Sequence, residues 1–202
     1  MTRSLARAFA AAVALVMSSP AWAGATTTAT EEATLLAREV VIRELPTSGD
    51  GAVRVLAIVD IRASSDAVWR ALLDFPSRKL NNPAVQSVAD YRPATANEQF
   101  VKWHLSKFGA SIVYHNRYVI DRARGRMEHT LDPAQPNDLT ESRGVYAVYP
   151  SPAGAGITRL TWEVESNFGR AIPSFVQKWM STGATRDFMV DMARRAEGRA
   201  TP

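Results

Sequence analysis

The chain has 202 residues, and its 24 lysine and arginine residues outnumber its 20 aspartate and glutamate residues to give a formal charge of +4. It contains no cysteine, which excludes disulfides, thiolate metal ligands and a cysteine nucleophile. No dense basic run is interleaved with aromatic residues, so the pattern of a surface that binds phosphate backbones is missing. We therefore expect no nucleic-acid partner.

Residues 1–23 have the pattern of a secretory signal peptide. Arg3 and Arg7 precede an apolar run at residues 8–17, and small residues frame the expected cleavage site at residues 21–23. The run is shorter than the roughly 20 apolar residues that cross a bilayer. We expect cleavage and export to a bacterial periplasm, or secretion; an uncleaved anchor is the alternative. The removed segment holds two arginines and no acid, so the mature chain has a formal charge of +2.

The rest of the chain has the length of one domain with a single core, and no linker divides it. Residues 24–38 are interpreted as a flexible leader, because the Thr/Ala-rich start has nothing to bury. Within it, residues 31–38 could form a short helix. We predict the folded domain at residues 39–197 and a tail at residues 198–202.

The domain is predicted to be rich in strands. A turn-rich segment joins the first two, at residues 40–45 and 53–61, into a hairpin. Ser64 or Ser65 then caps a short helix, and a second short helical piece extends to about Leu80. Further strands are predicted at residues 85–91, 99–105, 110–122, 126–131, 139–149 and 158–165. The short links indicate antiparallel neighbours, since parallel neighbours need crossovers of about a dozen residues or more.

A long helix is predicted at residues 173–195, because Pro173 suits the first helical position and no proline follows it there. The many apolar side chains of this segment would forfeit about 25 cal/mol per Å² if they stayed in water, so the helix should lie against the sheet. Gly183 marks a close backbone approach or a bend, or is merely tolerated. The predicted fold class is α+β: a curved antiparallel sheet wrapped around a long C-terminal helix, with two short helices after the first main strand.

Motifs for catalysis are missing from the sequence. His104, His115 and His129 do not have the spacing of metal ligands, and there is no Gly-x-Ser-x-Gly, phosphate loop or dinucleotide fingerprint. Glu163 and Glu165 share a strand face that we predict to be wet, which makes them poor candidates for paired catalytic carboxylates. We expect no metal, no cofactor and no catalytic residue.

Alternation along two strands predicts which residues face the interior. At residues 110–122 the even positions are the more apolar, so the row ends with Arg122 pointing to the interior or its mouth; a solvated arginine at a strand end is the alternative. At residues 99–105 the more apolar face holds Trp103, and this turns His104 outward.

A curved sheet that grips a helix encloses a space, which is either filled by side chains or left open as a ligand cavity. Six aromatic residues are suited to line it and to orient a ligand: Trp103, Tyr114, Tyr118, Tyr146, Trp162 and Trp179. Ordinary core packing explains each of them separately.

Three segments resemble the START (StAR-related lipid transfer) domains of the helix-grip, polyketide cyclase-like superfamily. The sequence TRLTW at residues 158–162 is similar to the family's T-[KR]-L-T-[WY] strand, and residues 169–173 are similar to the G-x-x-[IL]-P that begins its last helix. Residues 188–195 resemble the end of that helix. NRYVIDR at residues 116–122 is similar to R-D-[FY]-V-x-x-R, with Asn-Arg replacing the leading Arg-Asp and with Arg122 in its place.

The resemblance implies a hydrophobic tunnel for one lipid-like molecule, such as a sterol or hopanoid, a phospholipid, a quinone or a polyene. Loops at residues 106–109 and 132–138 and the last helix would gate it, and family members use no metal or nucleotide. The polar end of the ligand would be held by Arg122 and by a tyrosine or His104. The complete set of expected ligand-binding residues is Trp103, His104, Tyr114, Tyr118, Arg122, Tyr146, Trp162, Phe175 and Trp179. We further expect transient membrane contact and a monomer.

Two alternatives stay open. Related helix-grip proteins include enzymes of the cyclase or dehydratase type, and such an activity on a hydrophobic polyketide-like substrate would need an acid/base pair, for which His104 with Arg122 or Arg143 is the available choice. A filled barrel that binds no ligand and acts through a protein partner is the other alternative.

Overall fold

One sheet forms the body of the protein. The computed structural model describes residues 25–47, 51–78, 82–169 and 174–199. In this part of the chain the strands are β1 (Val41–Leu45), β2 (Ala52–Ile61), β3 (Val85–Asp90), β4 (Glu98–Lys107), β5 (Ala110–Asp121), β6 (Arg126–Leu131), β7 (Glu141–Pro150) and β8 (Thr158–Asn167). All neighbours are antiparallel, in the order β1-β2-β8-β7-β6-β5-β4-β3. The predicted antiparallel sheet is confirmed.

The first and last long strands of the chain lie side by side, because β2 pairs with β8 along its whole length, from Ala52 opposite Asn167 to Ile61 opposite Thr158. From β8 the order runs back through successive neighbours to β3. Side chains alternate between the two faces of each strand. One face packs on the C-terminal helix, and the other carries ion pairs between neighbouring strands.

The helix α1 (Ala29–Leu36) lies within the segment that the sequence predicts to be a flexible leader. Thr28 caps it, because the Thr28 hydroxyl accepts from the Glu31 backbone N–H while the Glu31 carboxylate accepts from the Thr28 N–H at 2.7 Å. Leu35 is only 2 % exposed and packs on Leu56 and Ile58. The interpretation as a leader with nothing to bury is thus corrected: the short apolar side of α1 finds a partner in β2.

The helix α2 (Ser65–Leu73) begins as predicted, with Ser64 as its cap. It ends because Pro76, four residues after Leu72, has no N–H to give to the Leu72 carbonyl. The Arg78 guanidinium takes that place, since Nη2 donates to the Leu72 oxygen at 2.6 Å. The predicted second helical piece extends into residues outside the described part.

The C-terminal helix consists of α3 (Ser174–Lys178), a π-helical segment (Trp179–Gly183) and α4 (Ala184–Ala196). The Ala184 N–H bonds to the Trp179 carbonyl, five residues back, which widens the helix there. A Cβ on Gly183 would lie 2.8 Å from Cδ1 of Trp179. The close approach predicted at Gly183 is therefore made by a ring of the same helix. Pro173 and the predicted signal peptide lie outside the described residues.

The main core lies between the concave face of the sheet and two helices. It joins Ala57, Val59 and Ile61 of β2 to Leu72 of α2 and to Met189 of α4. These side chains are nearly inaccessible to water, which accounts for the predicted packing of the long helix on the sheet. None of the helices in the described ranges has both the length and the apolar character needed to cross a bilayer.

Candidate functional site

A cavity remains between the concave face of the sheet and the C-terminal helix. Its volume is about 120 Å³, whereas a cavity that holds a single water needs roughly 10–15 Å³ by the same measure. Its walls come from the seven strands β2 to β8 and from the C-terminal helix, with Arg78 and Asn82 from the segment between α2 and β3. The alternative of a filled barrel does not hold, because this interior has room for more than a few waters.

Stacked aromatic pairs form the walls. Tyr146 and Trp162 are directly opposite on β7 and β8, and their rings lie 5.0 Å apart at an interplanar angle of 11°. Trp103 and Tyr114 are likewise opposite on β4 and β5, with 6.3 Å between ring centroids. Phe188 of α4 packs against Trp162 at 4.8 Å. The strand register thus produces a chamber of flat apolar surfaces, which suits a hydrophobic ligand.

Arg78 brings a positive charge into this chamber. It is 4 % exposed, and its guanidinium carbon lies 4.2 Å from the Phe75 ring centroid and 4.6 Å from that of Phe188. Trp103 is the third ring nearby, at 5.3 Å. Burial lowers the pKa of Arg78 from its ordinary value, and Tyr146 and Tyr118 partly oppose this change. A guanidinium keeps its charge even so, because its ordinary pKa is above 12.

The tyrosine hydroxyls of the cavity stay protonated. Burial raises the pKa of Tyr114, Tyr118 and Tyr146, and the positive charge of Arg78 lowers each of them by less. Trp103 Nε1 donates to the Tyr118 oxygen at 3.2 Å. These hydroxyls therefore are neutral donors that can hydrogen-bond a polar group of a ligand.

His129 lies at the base of the cavity in a neutral state. Burial, with a smaller contribution from Arg78, lowers its pKa to about 3. Trp162 Nε1 donates to Nε2 of His129 at 3.2 Å, and the Asn116 side-chain nitrogen lies 3.3 Å from Nδ1. A group with so low a pKa is a weak general base at neutral pH.

Five of the predicted ligand-binding residues line the cavity together. They are Trp103, Tyr114, Tyr118, Tyr146 and Trp162. All lie on strands, and alternation placed each of them on the concave face.

The predicted polar anchors lie elsewhere. His104 is on the opposite face of β4 from Trp103, where Nε2 lies 2.9 Å from the Ser111 hydroxyl. Arg122 follows the last residue of β5 and is exposed; Nη2 donates to Asp66 at 3.1 Å, and the guanidinium lies over Trp69. Neither residue lines the cavity. The inward direction predicted for Arg122 is corrected because the strand ends one residue earlier and α2 offers a carboxylate outside.

Phe175 and Trp179, two further predicted ligand-binding residues, do not line the cavity. They belong to a group that we call the surface aromatic cluster, which consists of Phe108, Phe175, Trp179 and Lys107. Phe108 and Phe175 are each 58 % exposed, and their ring centroids are 5.9 Å apart. Phe108 is also 5.9 Å from Trp179, and Lys107 Nζ is 4.5 Å from the Trp179 centroid. The cluster joins the β4–β5 turn to the C-terminal helix.

The acid/base set considered for an enzyme is not assembled. Arg143 points to the other face of the sheet, where it donates to Glu165 at 2.9 Å, and neither it nor His104 or Arg122 contributes to the cavity walls. That face is not wet as predicted: Glu165 is 4 % exposed. In the described ranges, histidine and acidic side chains form no group of three that could hold a metal ion.

Sequence reasoning missed Arg78, Asn116, His129 and Phe188 as cavity residues. Asn116 is in the row of β5 that was predicted to face inward but was not chosen as a ligand-binding residue. His129 lies on the same face of β6 as the buried Met127, two residues before it, so periodicity could have found it. Phe188 is one of many apolar residues of the last helix. Arg78 has no sequence signal, because a single arginine after a proline-broken helix is typical of an exposed turn.

Comparisons with known proteins agree with this geometry. Residues 52–197 match the family model described as polyketide cyclase / dehydrase and lipid transport. A STAR-related lipid transfer protein from Xanthomonas axonopodis (fragment 25–204) has a TM-score of 0.64 at 15 % identity, over 77 % of this chain and 93 % of that one. The protein TTHA0849 from Thermus thermophilus gives 0.62 at 18 % identity, over 72 % and 97 %.

The Zhui aromatase/cyclase from Streptomyces sp. R1128 gives a TM-score of 0.57 at 17 % identity, over 73 % of this chain and 92 % of that one. No curated protein matches the sequence. At these identities the structures show the fold alone, and the helix-grip fold is confirmed. Because the family model spans well over half of the 202 residues, the chain belongs to the polyketide cyclase / dehydrase and lipid transport family.

Proposed function

We propose that the protein binds one hydrophobic, lipid-like molecule in the cavity and carries it through the periplasm. The observation that supports this is the open chamber between sheet and helix, walled by the stacked pairs Trp103–Tyr114 and Tyr146–Trp162. Protein interiors leave few voids larger than a water, so a retained cavity with such walls points to an occupant. A sterol or hopanoid, a phospholipid, a quinone and a polyene are the candidate classes.

The first experiment asks whether anything apolar enters the cavity. Mature protein, residues 24–202, is incubated with a total membrane lipid extract, repurified and analysed by mass spectrometry. We expect one lipid class near one molecule per protein. Ala184→Phe adds a ring to the cavity wall and should abolish recovery, whereas Ala123→Phe, in the exposed turn between β5 and β6, should not. Recovery of no lipid, or equal recovery with both variants, would contradict the proposal.

Transfer between membranes would need a surface that touches lipid, and the surface aromatic cluster suits this role. Aromatic side chains favour the interface between headgroups and acyl chains, and Lys107 would be attracted to anionic headgroups. The cluster includes Trp179, whose helix neighbour Met180 lines the cavity. We therefore assign membrane contact to this cluster.

Vesicle sedimentation tests the assignment. The variant Phe108→Ser/Phe175→Ser should bind several-fold less to vesicles of phosphatidylglycerol and phosphatidylcholine. Leu36→Ser is the control, because Leu36 is 63 % exposed but belongs to α1. Equal binding of all three proteins would remove the cluster from the proposal.

Fractionation of cells that express the chain with and without residues 1–23 tests the periplasmic location: only the full chain should reach the periplasm.

A cyclase or dehydratase activity on a polyketide-like substrate is the second candidate. The observation that favours it is that the buried cation Arg78 lines the same cavity as the hydroxyls of Tyr118 and Tyr146, since such donors stabilise an enolate oxygen. Incubation with a synthetic poly-β-ketone thioester should then yield products that have lost water. Binding without conversion would favour the carrier.

A further inference from the structure

We propose that the ligand carries an anionic group, a carboxylate or a similar oxyanion, and that Arg78 binds it inside the cavity. This inference rests on the proposed ligand-binding function and narrows the class of ligand. The sterols, quinones and unmodified polyenes that fit the apolar walls would then be less suitable than acids built on an equally apolar body.

The argument begins with the cost of burying a charge. An isolated ion loses its hydration inside a protein, and structures normally compensate by pairing it with an opposite charge. Arg78 is 4 % exposed, and in the part of the chain that the structure describes no carboxylate lies within ion-pair distance of it. Asp187 and Asp191 also line the cavity. Asp191 raises the pKa of Arg78 less than Tyr146 and Tyr118 do, and Arg195 lies 3.6 Å from the Asp191 carboxylate.

The hydrogen-bond capacity of Arg78 is also incompletely used. A guanidinium has five N–H donors. One bond, from Nη2, goes to the Leu72 carbonyl at 2.6 Å. Nε is buried and has no hydrogen-bond partner among the described residues. The three rings around the group stabilise a cation through their faces but accept no conventional hydrogen bond.

The bond to Leu72 fixes the guanidinium at the cavity wall. Because Pro76 cannot satisfy the Leu72 carbonyl, Arg78 is held by the helix end and does not need a carboxylate to stay in place. A planar cation with free donors is the group that proteins use to bind carboxylates in a bidentate manner. The protonated hydroxyls of Tyr118 and Tyr146, which respond to the charge of Arg78, can donate to the same oxyanion.

Two fluorescent probes with the same aromatic body separate charge from apolarity. They are 8-anilino-1-naphthalenesulfonate, which is anionic, and N-phenyl-1-naphthylamine, which lacks the sulfonate. We expect the wild-type protein to bind the anionic probe at least about tenfold more tightly, as a charge-assisted hydrogen bond predicts. Arg78→Met should lose this preference while still binding the neutral probe. Arg122→Met, which removes an exposed arginine outside the cavity, should keep it.

A competition on the wild-type protein needs no variant. Octanoate should displace the bound anionic probe at a concentration about tenfold lower than octanol does. Equal potency of the acid and the alcohol, or an unchanged probe preference in folded Arg78→Met, would overturn the inference. If neither probe binds to the wild-type protein, the proposed ligand-binding function fails; if the neutral probe binds as tightly as the anionic one, only the inference about Arg78 fails.

Discussion

Two arginines are almost fully buried on opposite sides of the sheet, and they are stabilised in different ways. Arg159 of β8 is 2 % exposed and bonds to Asp60 at 2.7 and 2.8 Å and to Glu32 at 2.7 and 2.9 Å. These carboxylates raise the pKa of Arg159, whereas burial lowers the pKa of Arg78. The convex side therefore completes its own charge pairs, while the cavity side retains a cation that a ligand can neutralise.

The largest expected effect comes from removing the paired cation. Arg159→Met leaves Asp60 and Glu32 without their partner, so we expect a loss of about 3–5 kcal/mol in the free energy of unfolding. Arg78→Met should lose less, about 1–2 kcal/mol, because the Leu72 carbonyl loses its donor and the rings lose their cation, while the cost of an unpaired buried charge is relieved. Urea denaturation of both variants measures the difference. Equal losses would show that Arg78 is as structural as Arg159.

His129, on the cavity side, should dominate the pH dependence of the free energy of unfolding between pH 6.5 and 5. His129 has its pKa lowered from 6.5 to about 3 in the folded protein, so the unfolded chain binds the extra proton first and stability is lost as the pH falls below 6.5. The loss should reach about 2 kcal/mol at pH 5. His129→Gln should remove this slope in urea titrations. A slope that persists in this variant would place its origin elsewhere.

An effect of similar size is expected at the π-helical segment. Gly183→Ala places a Cβ 2.8 Å from the Trp179 ring, and we expect a loss of about 1–3 kcal/mol from the resulting crowding. Trp179→Ala removes the obstacle, so the double variant should lose less than the sum of the two single variants. Thermal or urea unfolding of the three variants measures this coupling; additive losses would contradict the contact.

The smallest effect concerns the acids of the convex side. The Arg159 hydrogen bond is the largest cause that lowers the pKa of Glu32 from 4.5 to about 2. Its contribution to stability is therefore present above pH 4.5 and lost as the pH falls toward 2. Glu32→Gln should flatten the stability curve in this window and leave the slope between pH 6.5 and 5 unchanged. If Glu32→Gln instead changed the stability between pH 6.5 and 5, the acids of the convex side would contribute to the slope that we assign to His129.

Several parts of the site follow from local pattern, and others do not. Trp103, Tyr114 and Tyr118 were predicted to face inward because strands alternate their side chains, whatever the rest of the chain does. Arg122 continues the same row by parity, yet the strand ends at Asp121 and Asp66 of α2 draws the guanidinium outside. Periodicity has no information about where an element stops or what lies beside it.

The order of strands and helices, the antiparallel pairing and the apolar faces were determined by the sequence itself, because turn residues and period-two or helical spacing act over a few neighbouring residues. Tertiary structure alone decided which polar groups are buried. Arg78 enters the cavity because Phe188, more than a hundred positions later, covers it. Arg159 is paired because α1 folds back on the sheet. The environment of a charge depends on segments distant in the chain, and no local pattern records them.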